Sequence, residues 1–500
     1  MRAFAAIAIG LLAVMVCFTA AVGLAGSWPV ATCFALAGGA LVGWRAWARP
    51  FVPLDESACT PALKALSALA TVGAIVMLGR LTLFMADPQL VRFSPHPSSR
   101  FESRHCCLTA YYVAGQLAGE GRDPYDPALY RAPEDDGKGV RKPRQMGVFN
   151  VDQYEYPPPF LLLPRLFTAV VPDFLRLRAL WFALNLGLLF TGVVVTARLL
   201  EGAAATRAFL LSPLVWPAWA TLSLLQKGNV QGTIFVLALL GMALHERRRH
   251  VAGGALLAFA VVSKLYPGPL VAYLLVRRQW RAAAWTVGFG IAFALASLLD
   301  TGWGPQAGFL HHLPGLLGGQ AFPAFRNPLA IAINYSIPGL AFKARLFDVP
   351  GMGYGAARVI GTTCTLAVLA AIAWVGQRRV PASRQPLVCL ALLLLASLCS
   401  PFLPQGYAGF PPIWLLTLLA ALHPPNGRIL AGVVAGWLCF NLYWPQDVGV
   451  GARTLALMTL VPQALTVALA IRVLRVVPAA AANADAALPA RLAGAEGAAG

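Results

Sequence analysis

Charge is what this 500-residue chain has least of. Only 12% of its residues are charged, where a soluble domain carries roughly 25%. Acids are scarcer still, 20 Asp and Glu against 39 Lys and Arg, and hydrophobic residues make up 58%. So little charge excludes a string of soluble domains and leaves a chain that lives in a bilayer. The apolar runs show no period-two alternation, which excludes a closed barrel, and lipid satisfies no backbone hydrogen bond, so the runs must be helices. The sequence also lacks an internal repeat, and no second broken helix stands in a matching half, which argues against an inverted-repeat transporter. Its nine cysteines include no C-x-x-C pair, and no His spacing suits a metal, so neither a metal nor a cofactor is expected. The formal charge of +19 is not a nucleic-acid patch, because Lys and Arg sit in short clusters between apolar runs and act as topology signals.

The spanning candidates are residues 3–24, 30–47, 65–86, 179–200, 207–225, 229–244, 282–299, 355–376, 386–402, 407–422, 429–444 and 454–476. The expectation is an all-α polytopic integral membrane protein with about 12 to 14 transmembrane helices. Arg2 and the run closing on Ala25-Gly26 also fit a signal peptide, but a second apolar run follows at once and an uncleaved first helix is preferred. Residues 1–477 read as one membrane-embedded unit, and the Ala- and Gly-rich tail 478–500 as disordered. With Arg45, Arg49 and Lys64 placed inside, residues 87–156 become the first large outer loop. The piece 160–171, interrupted by Pro164 and Arg165, lies along the surface. The segment 301–353 is mostly outer loop and surface helix. Adjacent Cys106 and Cys107 are poorly placed to pair with each other.

The stretch Gln226–Arg281 poses a geometric problem. The basic clusters at 245–250 and 277–281 both belong inside, yet the run between them is about right for one crossing. Pro267 removes a backbone donor and turns Tyr266 away from helix, so the run at 251–276 is expected to break at Lys264–Gly268 and double back. Broken backbone at depth is tolerated only against protein or a watery cavity. Lys264 should therefore face a cavity open to the outer side. The polar clusters that are not simple basic loops, at 87–156, 226–231, 264–267, 301–353, 405–407 and 444–447, all fall on that side, so the site is expected to be one-sided.

An ordered set of motifs carries a resemblance. Tyr111-Tyr112, Asp123-Pro124-Tyr125-Asp126-Pro127, Tyr156-Pro157-Pro158, Gly228-Asn229-Val230-Gln231, Lys264-Leu265-Tyr266-Pro267 with Arg277–Arg281, and Ser400-Pro401 with Tyr407 resemble glycosyltransferase family 87, a branch of the GT-C membrane enzymes. The resemblance implies a GT-C-like fold and inverting transfer of a hexose, often mannose, from a polyprenyl-phosphate sugar to a lipid or glycan acceptor on the outer face of the cytoplasmic membrane. Lys264 is then the cation for the donor phosphate. Gln226, Asn229 and Gln231 are candidates for sugar hydroxyls, although Gly228 and Asn229 also suit a turn. Tyr156, Tyr266 and Tyr407 are candidate substrate-binding aromatics.

Acceptor activation needs a carboxylate. The family carries an Asp-Phe pair four residues before its Tyr-Tyr element, and that register here holds Cys107-Leu108. Glu102 is the first candidate base and Asp87 the second; Asp152 and Glu155 stay open, and Asp126 reads as a turn residue. A flippase or transporter for lipid-linked saccharides, and a catalytically inactive paralogue, are the alternative readings.

Overall fold

The computed structural model describes residues 1–135, 141–445, 447 and 449–496, and the side chains of 132–143 and 478–496 lie outside that description. Its backbone is helical almost throughout, as the composition requires. Among the described residues seven helices are long and apolar enough to cross a membrane: Arg2–Ala25, Trp28–Ala48, Pro61–Ala86, Phe174–Leu199, Trp280–Thr301, Tyr354–Gly376 and the part 452–477 of the last helix, Ala452–Glu496. The pair Gly202–Val215 and Trp219–Lys227, bent by 65°, makes an eighth if it is counted as one broken span. Sequence periodicity read 207–225 as one straight helix, but Pro213 and Pro217 interrupt its backbone ladder. The remaining apolar runs make shorter helices, among them Pro158–Val170, Gln231–Glu246, His250–Ser263, Ala382–Leu398 and Gly427–Phe440. The expected count of 12 to 14 is approached only when these are included. The expectation of a disordered tail at 478–500 falls outside the described side chains.

The first two helices pack with their backbones almost in contact. A Cβ on Gly39 would lie 2.9 Å from the Gly10 carbonyl and 2.3 Å from Val14 Cγ2, so small residues set this crossing. Helix Arg2–Ala25 also leans on helix Phe174–Leu199, where Arg176 Nε donates to the Gly23 carbonyl at 3.1 Å. Arg178, 1% exposed, donates to the carbonyls of Phe84 and Met85 at 2.8 and 3.1 Å, covering orphan acceptors at the end of helix Pro61–Ala86. Its guanidinium lies between the rings of Phe84 and Phe149, which fixes the first loop to the bundle.

The doubled-back hairpin is present. Helix His250–Ser263 ends at Lys264, and Pro269–Val276 starts after the turn that Gly268 closes on the Leu265 carbonyl. Two contacts set the level of its parts. Lys264 Nζ donates to Gln231 Oε1 at 2.8 Å, at the start of helix Gln231–Glu246. Arg277 and Gln279 bond Glu246 at that helix's other end, at 2.7 and 3.1 Å. The tip and the base of the hairpin are thus separated by one helix length, about 22 Å, and the two basic clusters share one end.

A cysteine-depleted protein carrying a single Cys at position 248 or 278 should be labelled by an impermeant maleimide from the same face of oriented vesicles. Labelling of the two positions from opposite faces would mean that the run crosses once.

Candidate functional site

At the hairpin's tip end a cavity of about 660 Å³ opens. Separate stretches of chain reach it: His105–Tyr111, Asp152–Pro157, Asn229–Gln231, Ser263–Pro269 and Ser397–Tyr407, with helix Trp303–Gly318 lining one side through Phe309, Leu313, Leu316 and Leu317, and Phe322–Ala324, Thr365 and Val368 completing the lining. Polar groups gather at one end of this volume, and the flank is apolar.

Small strands place the polar end. His105–Cys106 pairs in parallel with Phe149–Val151, His105 opposite Asn150 and Cys106 opposite Val151, so Asp152 emerges beside His105. Thr109 Oγ1 holds that junction, donating to the Cys106 carbonyl at 2.7 Å and accepting from Asp152 N at 3.0 Å. Cys107 N donates to the Lys227 carbonyl at 2.8 Å, tying the loop to the bent helix. That helix ends on Gly228 at φ 64°, where a Cβ would stand 3.1 Å from the Trp181 ring. Trp181 Nε1 donates to the Gly228 carbonyl at 2.9 Å.

The clamp divides. Asn229 and Gln231 line the cavity; Asn229 Oδ1 also accepts from Gln231 N at 2.9 Å, so it holds a turn as well. Gln226 points elsewhere, bonding the Glu102 carbonyl at 2.8 Å and Ser94 Oγ at 3.0 Å. Lys264 Nζ, besides its bond to Gln231, lies 5.1 Å from the centroid of the Tyr156 ring. Tyr156, Tyr266 and Tyr407 all line the cavity. The Tyr266 hydroxyl and Ser263 Oγ, either side of Lys264, are buried with no hydrogen-bond partner among the described residues. Those two hydroxyls line the same cavity as the Lys264 ammonium.

The two carboxylates ranked first as the base are not at this surface. Asp87 caps the end of helix Pro61–Ala86 and accepts from Gln89 N at 2.9 Å, away from the cavity. Glu102, 2% exposed, is taken up by Lys227 Nζ at 2.8 Å and by the Tyr443 hydroxyl at 2.6 Å. Burial works to raise the Glu102 carboxyl, but the Lys227 charge and the hydrogen bonds of Lys227 and Tyr443 outweigh it and hold the group below its ordinary range. Sequence reasoning missed Lys227 as the partner because the two residues stand far apart in the chain. Asp126, read as a turn residue, accepts from Ala128 N at 2.9 Å.

Two other acids do reach the cavity. Asp152 accepts from His105 Nε2 at 3.2 Å. Glu155 has no hydrogen bond or ion pair to another described residue, and its carboxyl is pushed up to about 8, chiefly by burial and then by the Asp152 charge, with Lys264 pulling the other way. His105 is held below its ordinary value by burial, against the pull of Asp152. At the position where an aspartate was expected, Cys107 Sγ meets the Tyr407 hydroxyl at 3.0 Å, Asn229 Nδ2 at 3.3 Å and His105 Nε2 at 3.5 Å. Burial and Asp152 push its thiol up to about 12.

The fold and the site define a multi-pass helical membrane protein with one polar cavity at one end of a re-entrant hairpin. The model of glycosyltransferase family 87 matches residues 154–401, just under half of the chain, and this segment is similar to that family of glycosyltransferases. The matched segment holds Glu155, Tyr156, the clamp, Lys264, Tyr266 and Ser400-Pro401, and leaves out His105, Cys107, Asp152 and Tyr407. No curated protein and no solved structure matches the chain.

Glu102→Gln should destabilise the detergent-solubilised protein by about 3 to 5 kcal/mol, because it leaves the Lys227 ammonium buried without its counter-charge. Adding Lys227→Met should recover part of the lost melting temperature. The stabilisation from the depressed Glu102 carboxyl is present above the ordinary carboxylate range and is lost as pH falls through its folded value. An unchanged melting temperature in Glu102→Gln would show that the pair does not hold the loop.

Proposed function

We propose that the cavity transfers a hexose, with mannose the first candidate, from a polyprenyl-phosphate sugar to a lipid or glycan acceptor, on the outer face of the cytoplasmic membrane and with inversion. The observation that carries this reading is the placement of Lys264. It is a lone ammonium at the tip of a broken helix pair, flanked by the free hydroxyls of Ser263 and Tyr266. A leaving phosphate gains negative charge as the glycosidic bond breaks, and fixed donors aimed at that charge lower the barrier. The apolar flank formed by Leu313, Leu316, Leu317, Phe322 and Val368 suits an isoprenoid tail. Asn229 and Gln231 stand where sugar hydroxyls would be read, and Tyr156 offers a ring face to the pyranose.

The acceptor hydroxyl must lose its proton as it attacks the anomeric carbon. Glu155 takes that role in this reading: it lines the cavity, it is free of partners among the described residues, and its raised pKa makes it the stronger base once ionised. Asp152 is committed to His105, and Glu102 and Asp87 lie off the cavity. The flippase reading loses ground on the same geometry. The polar groups of the cavity lie at the hairpin's tip, while its far end is held by the Glu246, Arg277 and Gln279 contacts, an arrangement that favours a one-sided site.

The test is transfer from a radiolabelled polyprenyl-phosphate sugar in membranes containing the overexpressed protein. Lys264→Ala should lower the rate by about 10²- to 10³-fold, the scale of removing one donor to a developing anion. Glu155→Gln should lower it by about 10²- to 10⁴-fold. Since Glu155 acts only when ionised, the wild-type rate should climb as pH rises and level off above about 8. Full activity in Lys264→Ala would overturn the phosphate assignment, and a rate that falls between pH 6 and 8 would overturn that of the base.

A further inference from the structure

We propose that His105 Nε2, Cys107 Sγ and a carboxylate oxygen of Asp152 bind a zinc-class divalent cation, with one coordination position left open towards the cavity. The three ligand atoms lie within 4.8 Å of one another. Nε2 is 3.2 Å from Asp152 Oδ2 and 3.5 Å from Sγ. Tetrahedral N, O and S ligands about 2.0 to 2.3 Å from a common zinc ion stand roughly 3.3 to 3.6 Å apart. These two separations match that figure closely, so the imidazole needs little movement to share an ion with its neighbours.

The ligand chemistry fits a borderline-soft ion. An imidazole, a thiolate and a carboxylate together favour zinc over the hard, all-oxygen environments of magnesium or calcium. Three protein ligands with an open fourth position is the arrangement of ions that take an oxygen from water or substrate, whereas structural sites are closed. All three residues line the cavity, so such an oxygen has access.

The surroundings are organised for a thiolate. Asn229 Nδ2 at 3.3 Å and the Tyr407 hydroxyl at 3.0 Å both reach Sγ and are able to donate to it. Donors of this kind position a ligating sulfur and tune its charge. The backbone is already fixed by the pairing of His105–Cys106 with Phe149–Val151 and by the Cys107 N to Lys227 carbonyl bond. Without an ion, one imidazole nitrogen faces Asp152, Tyr407 and Cys107 at once, more partners than a single ring nitrogen serves in either tautomer.

The cluster lies wholly outside the segment 154–401 that the family model matches. This inference stands on the geometry of the three residues and is independent of the sugar, the donor and the identity of the base.

The test is made on the full-length protein in detergent micelles, equilibrated with Zn²⁺ and then dialysed against metal-free buffer. Elemental mass spectrometry should find one zinc per wild-type chain, and the affinity should fall at least 100-fold in Cys107→Ser and in Asp152→Asn. Cobalt loading should give a thiolate-to-metal charge-transfer band in the wild type that is absent in Cys107→Ser. Because loss of the fold would mimic loss of the site, each variant is checked against the wild type's own response: Zn²⁺ should raise the melting temperature of the wild type and leave that of folded Cys107→Ser unchanged. Wild-type protein that retains no zinc would overturn the site, and so would a zinc content that is equal in wild type and folded Cys107→Ser.

Discussion

Lipid offers no hydrogen bonds to a broken backbone and no counter-charge to a lysine, and the rest of this structure depends on how that constraint is met at Lys264. The break at Lys264–Gly268 is possible because protein surrounds it and a cavity takes its polar groups. The bond from Lys264 Nζ to Gln231 Oε1 fixes the tip, and the Glu246 contacts with Arg277 and Gln279 fix the base. Between them the hairpin has one available depth. The first loop, the bent helix that ends at Gly228, helix Trp303–Gly318 and the turn before Tyr407 are arranged around that tip.

Two lysines show how placement decides role. Lys227 and Lys264 stand at neighbouring places around the clamp, and both are surrounded by aromatic rings. Lys227 has a carboxylate in contact and is neutralised by it, so it locks the first loop to the bundle. Lys264 bonds a neutral amide and has no ion pair among the described residues, with Glu155 the carboxylate whose charge it feels. In a low-dielectric setting an unmet ammonium is costly unless it binds an anion. That difference separates the structural polar cluster behind the wall from the chemical one at its surface.

The parts of the fold set by local chemistry were readable. Apolar runs gave the helices, Pro267 gave the break, and the two basic clusters around a single run demanded the return that the Glu246 to Arg277 bond shows. Cavity residues near a chain break were readable for the same reason: Asn229, Gln231, Lys264, Tyr266, Tyr156 and Tyr407 line one volume. What the sequence withheld depends on contacts between distant segments. Glu102 stood five residues before the Cys107 register among Arg100, Arg104 and His105, but its partner is Lys227 on another helix. Gln226 looked like part of the clamp and instead supports the loop. The His105, Cys107 and Asp152 group was invisible to spacing rules because a two-residue strand pairing, and not a short motif, brings its members together. Pro213 and Pro217 mark the break in the 202–227 pair, but the hydropathy run across them carries no record of its direction.

The central claim is that the anion met by Lys264 is a lipid-linked phosphate held in this cavity. The most direct measurement is a cryo-electron-microscopy map of the protein in lipid nanodiscs with a polyprenyl phosphate added. The account predicts phosphate density in contact with Lys264 Nζ and the Tyr266 hydroxyl, with the prenyl chain running along Leu313 to Leu317. Density for the phosphate at another surface, with the cavity around Lys264 the same as in the map without lipid, would contradict it.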